Sequence, residues 1–254
     1  MRRTFAVLAL AAALTIPIAG QTQAPPAAPG APRPPQPIAA KEIKPGLYMI
    51  TGKGANAVLR VTADGAFLAS AKVVATKAES DAIARYKPAN GSAPPAAPNT
   101  TFDGAVYSVK LGGVEVRAYH FGPGATEGGL MVYFPDLKVL ATGDDVHSTT
   151  TPNCDYPFGG SVLGWQASLK KMMALDFDTA IPGQGANLMT RADVEGYVKK
   201  WDTLIARAQQ LVKAGTPKEQ LIAQIKTDDL GWNINFPFWT QPVRLDPFYA
   251  EMAR

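Results

Sequence analysis

Short apolar runs broken by turn residues occupy residues 41–141, and helical spacing takes over after residue 160. Residues 46–50 and 57–62 alternate as half-buried strands do. Asp64-Gly65 has hairpin-turn chemistry, and residues 66–70 make the return strand. Residues 73–75 predict another strand, running into a short helix over 79–86 and then a loop over 87–100 with four Pro and one Asn-Gly pair. Strands are expected over 105–110, 114–119, 130–134 and 139–141, with turns at Gly112-Gly113 and Pro135-Asp136. Beyond residue 160, Val162, Trp165, Leu169, Met172 and Met173 recur at three- and four-residue spacing behind Ser161, a candidate cap. Residues 179–181 predict a buried strand leading into Pro182-Gly183-Gln184-Gly185. A long helix is expected over 191–213, with Val194, Tyr197, Val198, Trp201, Leu204 and Ile205 on one side. Thr216-Pro217-Lys218-Glu219 reads as a capping box, and Asp246-Pro247 as the start of a terminal helix. No internal repeat is visible. Strands first, then mixed strands and helices, predict one α/β or α+β domain of stacked layers over residues 41–254.

The first 40 residues are of another kind. Arg2 and Arg3 precede an apolar run from Phe5 through Ile18, and small residues follow at Ala19, Gly20 and Ala24. Residues 1–24 therefore read as a signal peptide, with the cleavage point left open. The alternative, a membrane anchor, is opposed by Pro17 and by the shortness of the run. With no Cys after the run, a lipoprotein anchor is excluded. Residues 25–40 form a Pro/Ala-rich linker, because its closely spaced prolines suppress helix and sheet alike. The mature protein is expected to be exported, periplasmic or secreted, with no transmembrane domain.

Charge removes one class of partner. The chain's formal charge is +4, but residues 1–40 hold Arg2, Arg3 and Arg33 and no acidic residue, which leaves 22 basic and 21 acidic side chains in the remainder. That near-neutral balance offers no phosphate-tracking surface, so no nucleic-acid partner is expected. Cys154 is the single cysteine, so an intramolecular disulfide is impossible and stability must come from a core.

The chemistry concentrates in three stretches. Residues 124–135 lead through residues 136–140 into Ala141-Thr142-Gly143-Asp144, and Ile181-Pro182-Gly183-Gln184-Gly185 follows some forty residues later. With residues 44–50, Asn56, the Asp64-Gly65 turn and the Trp165 helix, this order resembles the metallo-β-lactamase superfamily. The resemblance implies a four-layered αββα sandwich, trimmed in its first half, and descent from a hydrolase. It also implies one or two metal ions, commonly zinc, held by an H-x-H-x-D-H loop, the His of H-T-x-G-D, the Asp of T-G-D and the His of P-G-H-G. Here Ala125 and Gln184 stand at two of those histidine positions, and Lys72 runs directly into Val73 where the family places a helix, a strand and the H-x-H-x-D-H loop. The chain has only two histidines, His120 and His147, so the full ligand set cannot be restored.

Donors still cluster at Asp144-Asp145-Val146-His147, with Glu127 and Asp155 as further members of a possible cleft. One reading is an exported relative that has lost zinc-dependent hydrolysis and keeps a cleft for a small molecule or a protein, with no cofactor. The alternative is a residual metallohydrolase with one zinc or other divalent ion at Asp144 and His147. Asp144 and Asp145 also suit backbone capping of a turn, and His120 a structural role. Cys154 is either structural or a reactive thiol. The aromatic run over residues 231–239 either packs across the domain or lines a groove.

Overall fold

The computed structural model describes residues 38–51, 56–62, 65–67, 74–87 and 97–254. The expected signal peptide and nearly all of the linker lie outside these residues, as do residues 68–70 and most of the 87–100 loop. The first strand begins at Ala39, two residues inside the expected linker.

β1 (Ala39–Lys44), β2 (Leu47–Thr51), β3 (Ala57–Thr62) and β4 (Gly65–Phe67) form an antiparallel sheet in that order. Gly46 makes the β1–β2 turn at φ +71°, and a Cβ there would stand 2.9 Å from the Val61 carbonyl oxygen. β5 (Val74–Thr76) and β6 (Thr100–Phe102) pair in parallel, and α1 (Lys77–Arg85) supplies the crossover that parallel pairing requires. The strand and short helix expected just beyond Val73 are present as β5 and α1, and neither contains histidine.

The largest sheet runs β12-β11-β10-β9-β8-β7. Its strands are β7 (Val106–Leu111), β8 (Val114–Tyr119), β9 (Met131–Phe134), β10 (Val139–Ala141), β11 (Thr179–Ile181) and β12 (Met189–Thr190). Gly112 and Gly113, at φ +56° and +75°, close the β7–β8 hairpin. Only β10 and β11 are parallel neighbours, and α2 (Val162–Met172) lies on the connection between them.

This sheet is covered on both faces. Val116, Phe134, Val139 and Ile181 meet Leu47 and Met49 of β2, while Tyr133, Leu140 and Ala180, each one residue away along its strand, turn to the helices. Strand pleat accounts for the division. Arg60 of β3 joins the two sheets at their rim, donating to the Pro45 carbonyl at 2.5 Å and to Asp136 at 2.7 Å. On the helical side, α2 presents Val162, Trp165, Leu169 and Met172, and α3 (Arg191–Lys213) presents Val194, Tyr197, Trp201 and Ala208. The Trp165 and Trp201 rings meet with centroids 4.5 Å apart. α4 (Lys218–Gln224), α5 (Pro237–Thr240) and α6 (Pro242–Met252) complete the layer. Among the described residues no helix is long and apolar enough to cross a membrane.

Two terminus expectations are corrected. No side-chain cap forms at α4, where Thr216 is buried and its carbonyl accepts from Tyr249 Oη at 3.0 Å. The capping box lies instead at the start of α3, between Thr190 and Asp193. α6 opens at Pro242 and encloses Pro247. Its far end carries a buried carboxylate, Glu251, which accepts from Tyr156 Oη at 2.8 Å, from Val162 N at 2.9 Å and from Ser161 Oγ. The last helix thereby caps α2.

Candidate functional site

Parallel pairing of β10 with β11 brings their carboxyl ends together, so Thr142-Gly143-Asp144 and Pro182-Gly183-Gln184-Gly185 emerge side by side. β9 is antiparallel to β10, and its preceding segment, residues 124–130, therefore returns to the same end. The two loops touch through backbone: Gly183 N donates to Gly143 O at 2.9 Å, and a Cβ on Gly183 would collide with that carbonyl. Asn56, just before β3, fastens the second loop from the other sheet, its Nδ2 donating to Pro182 O at 2.8 Å and Gly185 O at 2.6 Å. Trp165 reaches up from α2 to donate Nε1–H to Asp145 O at 2.9 Å.

Between these loops lies a cavity of about 370 Å3. Ala125, Asp144, His147, Asp155 and Gln184, five of the positions singled out by sequence, line it. Thr126, Thr150, Asn153 and Phe238 complete most of the wall. Gln184 Nε2 donates to Asp144 Oδ1 at 3.1 Å across the position where the family pairs a carboxylate with an imidazole. Asp155 accepts from Arg244 at 2.9 Å, and the Arg244 guanidinium stacks 3.9 Å above the Phe238 ring. The aromatic run thus divides: Trp232, Ile234 and Trp239 are buried in the core, and Phe238 faces the cavity.

His147 is committed at both nitrogens. Nε2 lies 3.0 Å from the Asp144 carbonyl oxygen, which has no hydrogen to give, so Nε2 carries the proton. Burial drives the imidazole's pKa down, against the pull of Asp144's backbone carbonyl and charge, and favours the neutral ring. Nδ1 is then an acceptor, and Thr150 Oγ1 stands 2.9 Å from it. No lone pair of this ring is left for a metal. His120 donates from Nδ1 to the Gly129 carbonyl at 3.1 Å and lines none of the cavities described here. Cys154 is fully buried, with its pKa driven up by desolvation, and is a core residue in place of a reactive thiol.

The other predicted members go elsewhere. Asp145 turns under the loop, where its Oδ1 accepts from Ala125 N at 3.0 Å. It lines a neighbouring cavity of about 320 Å3 with Glu79 of α1, Thr126 and Asp144. Gly124 is required beside it, because a Cβ there would collide with the carboxylate. Glu127 is exposed, packs beside Gly159 and lines neither cavity. Glu79 carried no sequence signal. Thr150 had one, since a run of hydroxyl residues, Ser148 to Thr151, follows His147 directly.

A zinc centre needs three or four converging donors with an open position. Asp144 supplies one carboxylate, Gln184 a neutral amide already bonded to it, Ala125 nothing, and His147 no free nitrogen. Among the described residues no group of three or more His, Cys, Asp or Glu side chains is placed to hold a metal ion. These donors do not fit the family's metal centre.

Asp145 makes stability pH-dependent. Burial, opposed by the Ala125 amide and assisted by the charge of Asp144, raises its pKa to about 6 from the ordinary 3.8. Between these values the unfolded chain is ionised while the native carboxyl keeps its proton, so stability falls as pH rises from about 4 to 6. His147, lowered, acts in the opposite sense: its contribution is complete above the unfolded value of 6.5 and is lost as pH falls below it. Asp145→Asn removes the first effect. We expect it to unfold at higher urea than the parent protein at pH 8, by an amount of order 1–3 kcal/mol, and to show no gain at pH 4. Equal midpoints at pH 8 would contradict the assigned environment of Asp145.

Residues 53–184, just over half of the chain, match the sequence profile described as the metallo-beta-lactamase superfamily. No curated protein sequence matches the chain. Among solved structures, a metallo-beta-lactamase from Pontibacter korlensis superposes with a TM-score of 0.54 at 12% identity, covering 65% of this chain and 99% of its own. DIM-1 metallo-beta-lactamase gives 0.55 at 15%, covering 67% and 99%. The inverting sec-alkylsulfatase Pisa1 from a Pseudomonas species gives 0.54 at 13%, covering 84% of this chain and 47% of its own. At these identities the likeness is one of fold.

Proposed function

The chain belongs to the metallo-β-lactamase superfamily, and from that membership we propose that its cleft has given up zinc-dependent hydrolysis and holds a small polar ligand. The observation that carries this reading is the Gln184–Asp144 hydrogen bond beside a His147 whose two nitrogens are already engaged. A carboxylate, an amide, hydroxyls and the Asn153 side chain suit a neutral, hydrogen-bonding guest. Phe238 adds an apolar wall. Export belongs to the same proposal and rests on the leader-like residues 1–24.

The test is metal content and zinc response. Protein spanning residues 38–254, purified without chelators, is expected to carry well under one equivalent of zinc and to melt at the same temperature with and without added zinc. About one equivalent, lost in Asp144→Ala and in His147→Ala, would establish the residual mononuclear hydrolase and overturn the proposal. N-terminal sequencing of the exported protein tests the leader. An intact Met1 would refute cleavage.

A further inference from the structure

The wall of the Asp144–Gln184 cleft that carries Thr150, Asn153 and Asp155 has no backbone ladder of its own. Among the described residues, residues 149–154 make no backbone-to-backbone hydrogen bond. The run is pinned at its ends, where Ser148 N donates to Gln184 O at 3.0 Å and Asp155 N to Ala125 O at 2.8 Å. Three further fastenings come from the C-terminal segment, in matching order along both stretches. Asn233 N donates to Thr151 Oγ1 at 3.0 Å, Trp239 Nε1 to Pro152 O at 3.3 Å, and Arg244 Nη2 to Asp155 Oδ1 at 2.9 Å. A loop held in this way takes its position from the segment that holds it.

Of these ties, the one made by Arg244 joins two walls. Its guanidinium carbon lies 3.9 Å from the centre of the Phe238 ring, and its Nη1 donates to Gln241 Oε1 at 2.7 Å. Asp155 and Phe238 both line the cleft, whereas Arg244 stands behind them. Pro152 and Trp239 are buried anchors that stay with the core, and Asp155 and Phe238 are only partly buried. The Arg244 tie is also close to balance. Its side chain is 15% exposed, and Nε is buried without a hydrogen-bond partner. The closed arrangement therefore keeps one charged donor from both water and protein, a cost that offsets part of the gain from the ion pair and the ring contact. Opening returns that donor to water.

We infer that Arg244 is a clasp on this cleft: it holds the acidic wall at Asp155 to the aromatic wall at Phe238, and its release opens the cleft between them. Arg244 is thus a positioning residue, acting through two side chains that face the cavity. The opposite side stays in place, because the Thr142–Asp144 and Pro182–Gly185 loops are joined through backbone, Gly183 N to Gly143 O at 2.9 Å. This inference rests on the reading of the cleft as a ligand site.

Amide hydrogen exchange of the ligand-free protein, followed residue by residue by NMR, tests this. Asp155 N, bonded to Ala125 O, and Phe158 N and Gly160 N, both bonded to Asp155 O, report on the acidic wall. Phe236 N, bonded to Ile234 O, and Trp239 N, bonded to Phe236 O, report on the aromatic wall. In Arg244→Ala both sets should exchange at least about fivefold faster, while Thr142 N and Gly183 N on the opposite side keep the parent rates. Arg244→Lys keeps a charge for Asp155 but loses the flat face over Phe238, so it should restore the acidic set more fully than the aromatic set. Parent rates in both sets of Arg244→Ala would overturn the clasp. An equal rise at Thr142 and Gly183 would also overturn it, since Arg244 would then be a contact that stabilises the whole domain. No ligand or metal enters the measurement, so its failure is distinct from a failure of the zinc test.

Discussion

Glu251→Ala is expected to lower unfolding free energy by about 2–4 kcal/mol, the cost of leaving several buried donors without the acceptor they share. The carboxylate sits at the positive end of α2, where it accepts from Val162 N, Ser161 Oγ and Tyr156 Oη. Removing it leaves the Tyr156 hydroxyl and the first amides of α2 without this acceptor at a buried position. Two remote parts of the chain separate as a result, since residue 251 lies 89 positions beyond residue 162. Glu251→Gln retains one acceptor and the side-chain volume, so its cost should be smaller, about 1–2 kcal/mol. Urea unfolding at pH 7 measures both. A loss below about 1 kcal/mol for Glu251→Ala would show that α6 is not the cap of α2 in solution.

Trp165→Ala should cost a similar amount, about 3–5 kcal/mol, for a different reason. The indole is fully buried between α2 and α3, 4.5 Å from Trp201 between ring centroids, and its truncation leaves a cavity that a helix pair cannot close. It also breaks the Nε1–H bond to Asp145 O, the tie between the helical layer and the Thr142–Asp145 turn. Trp165→Phe separates the two effects. It keeps most of the packing and loses the hydrogen bond, so it should cost less than half as much as Trp165→Ala. If both variants unfold at the same midpoint, the hydrogen bond contributes more than the packing. If neither is destabilised, Trp165 does not join the two layers.

The local order of elements was legible in the chain. β8, β10, α2, β11 and α3 lie where the pattern of apolar positions puts them, because each buries one face against a neighbour and so needs a period of two or of 3.6. The T-G-D and P-G-Q-G loops were legible for a related reason. Their close backbone contact at Gly143 and Gly183 admits no side chain, and that demand is written into the residues themselves. The shortage of histidines needed no structure at all: folding cannot assemble the family's full ligand set from His120 and His147 alone.

Non-local partnership was decided only by the tertiary structure. Glu251 reads as an ordinary helical glutamate until α6 meets α2. Asp145 and Asp144 are neighbours of the same chemistry, yet one is buried against Ala125 and the other is exposed beside Gln184, because a turn points successive side chains in different directions. Likewise Thr216 resembled a cap and was drawn into the core by Tyr249, while Thr190 took the capping role at α3. Periodicity records which face of an element is buried. It does not record which distant group that face will find, and the polar chemistry of this protein depends on those distant groups.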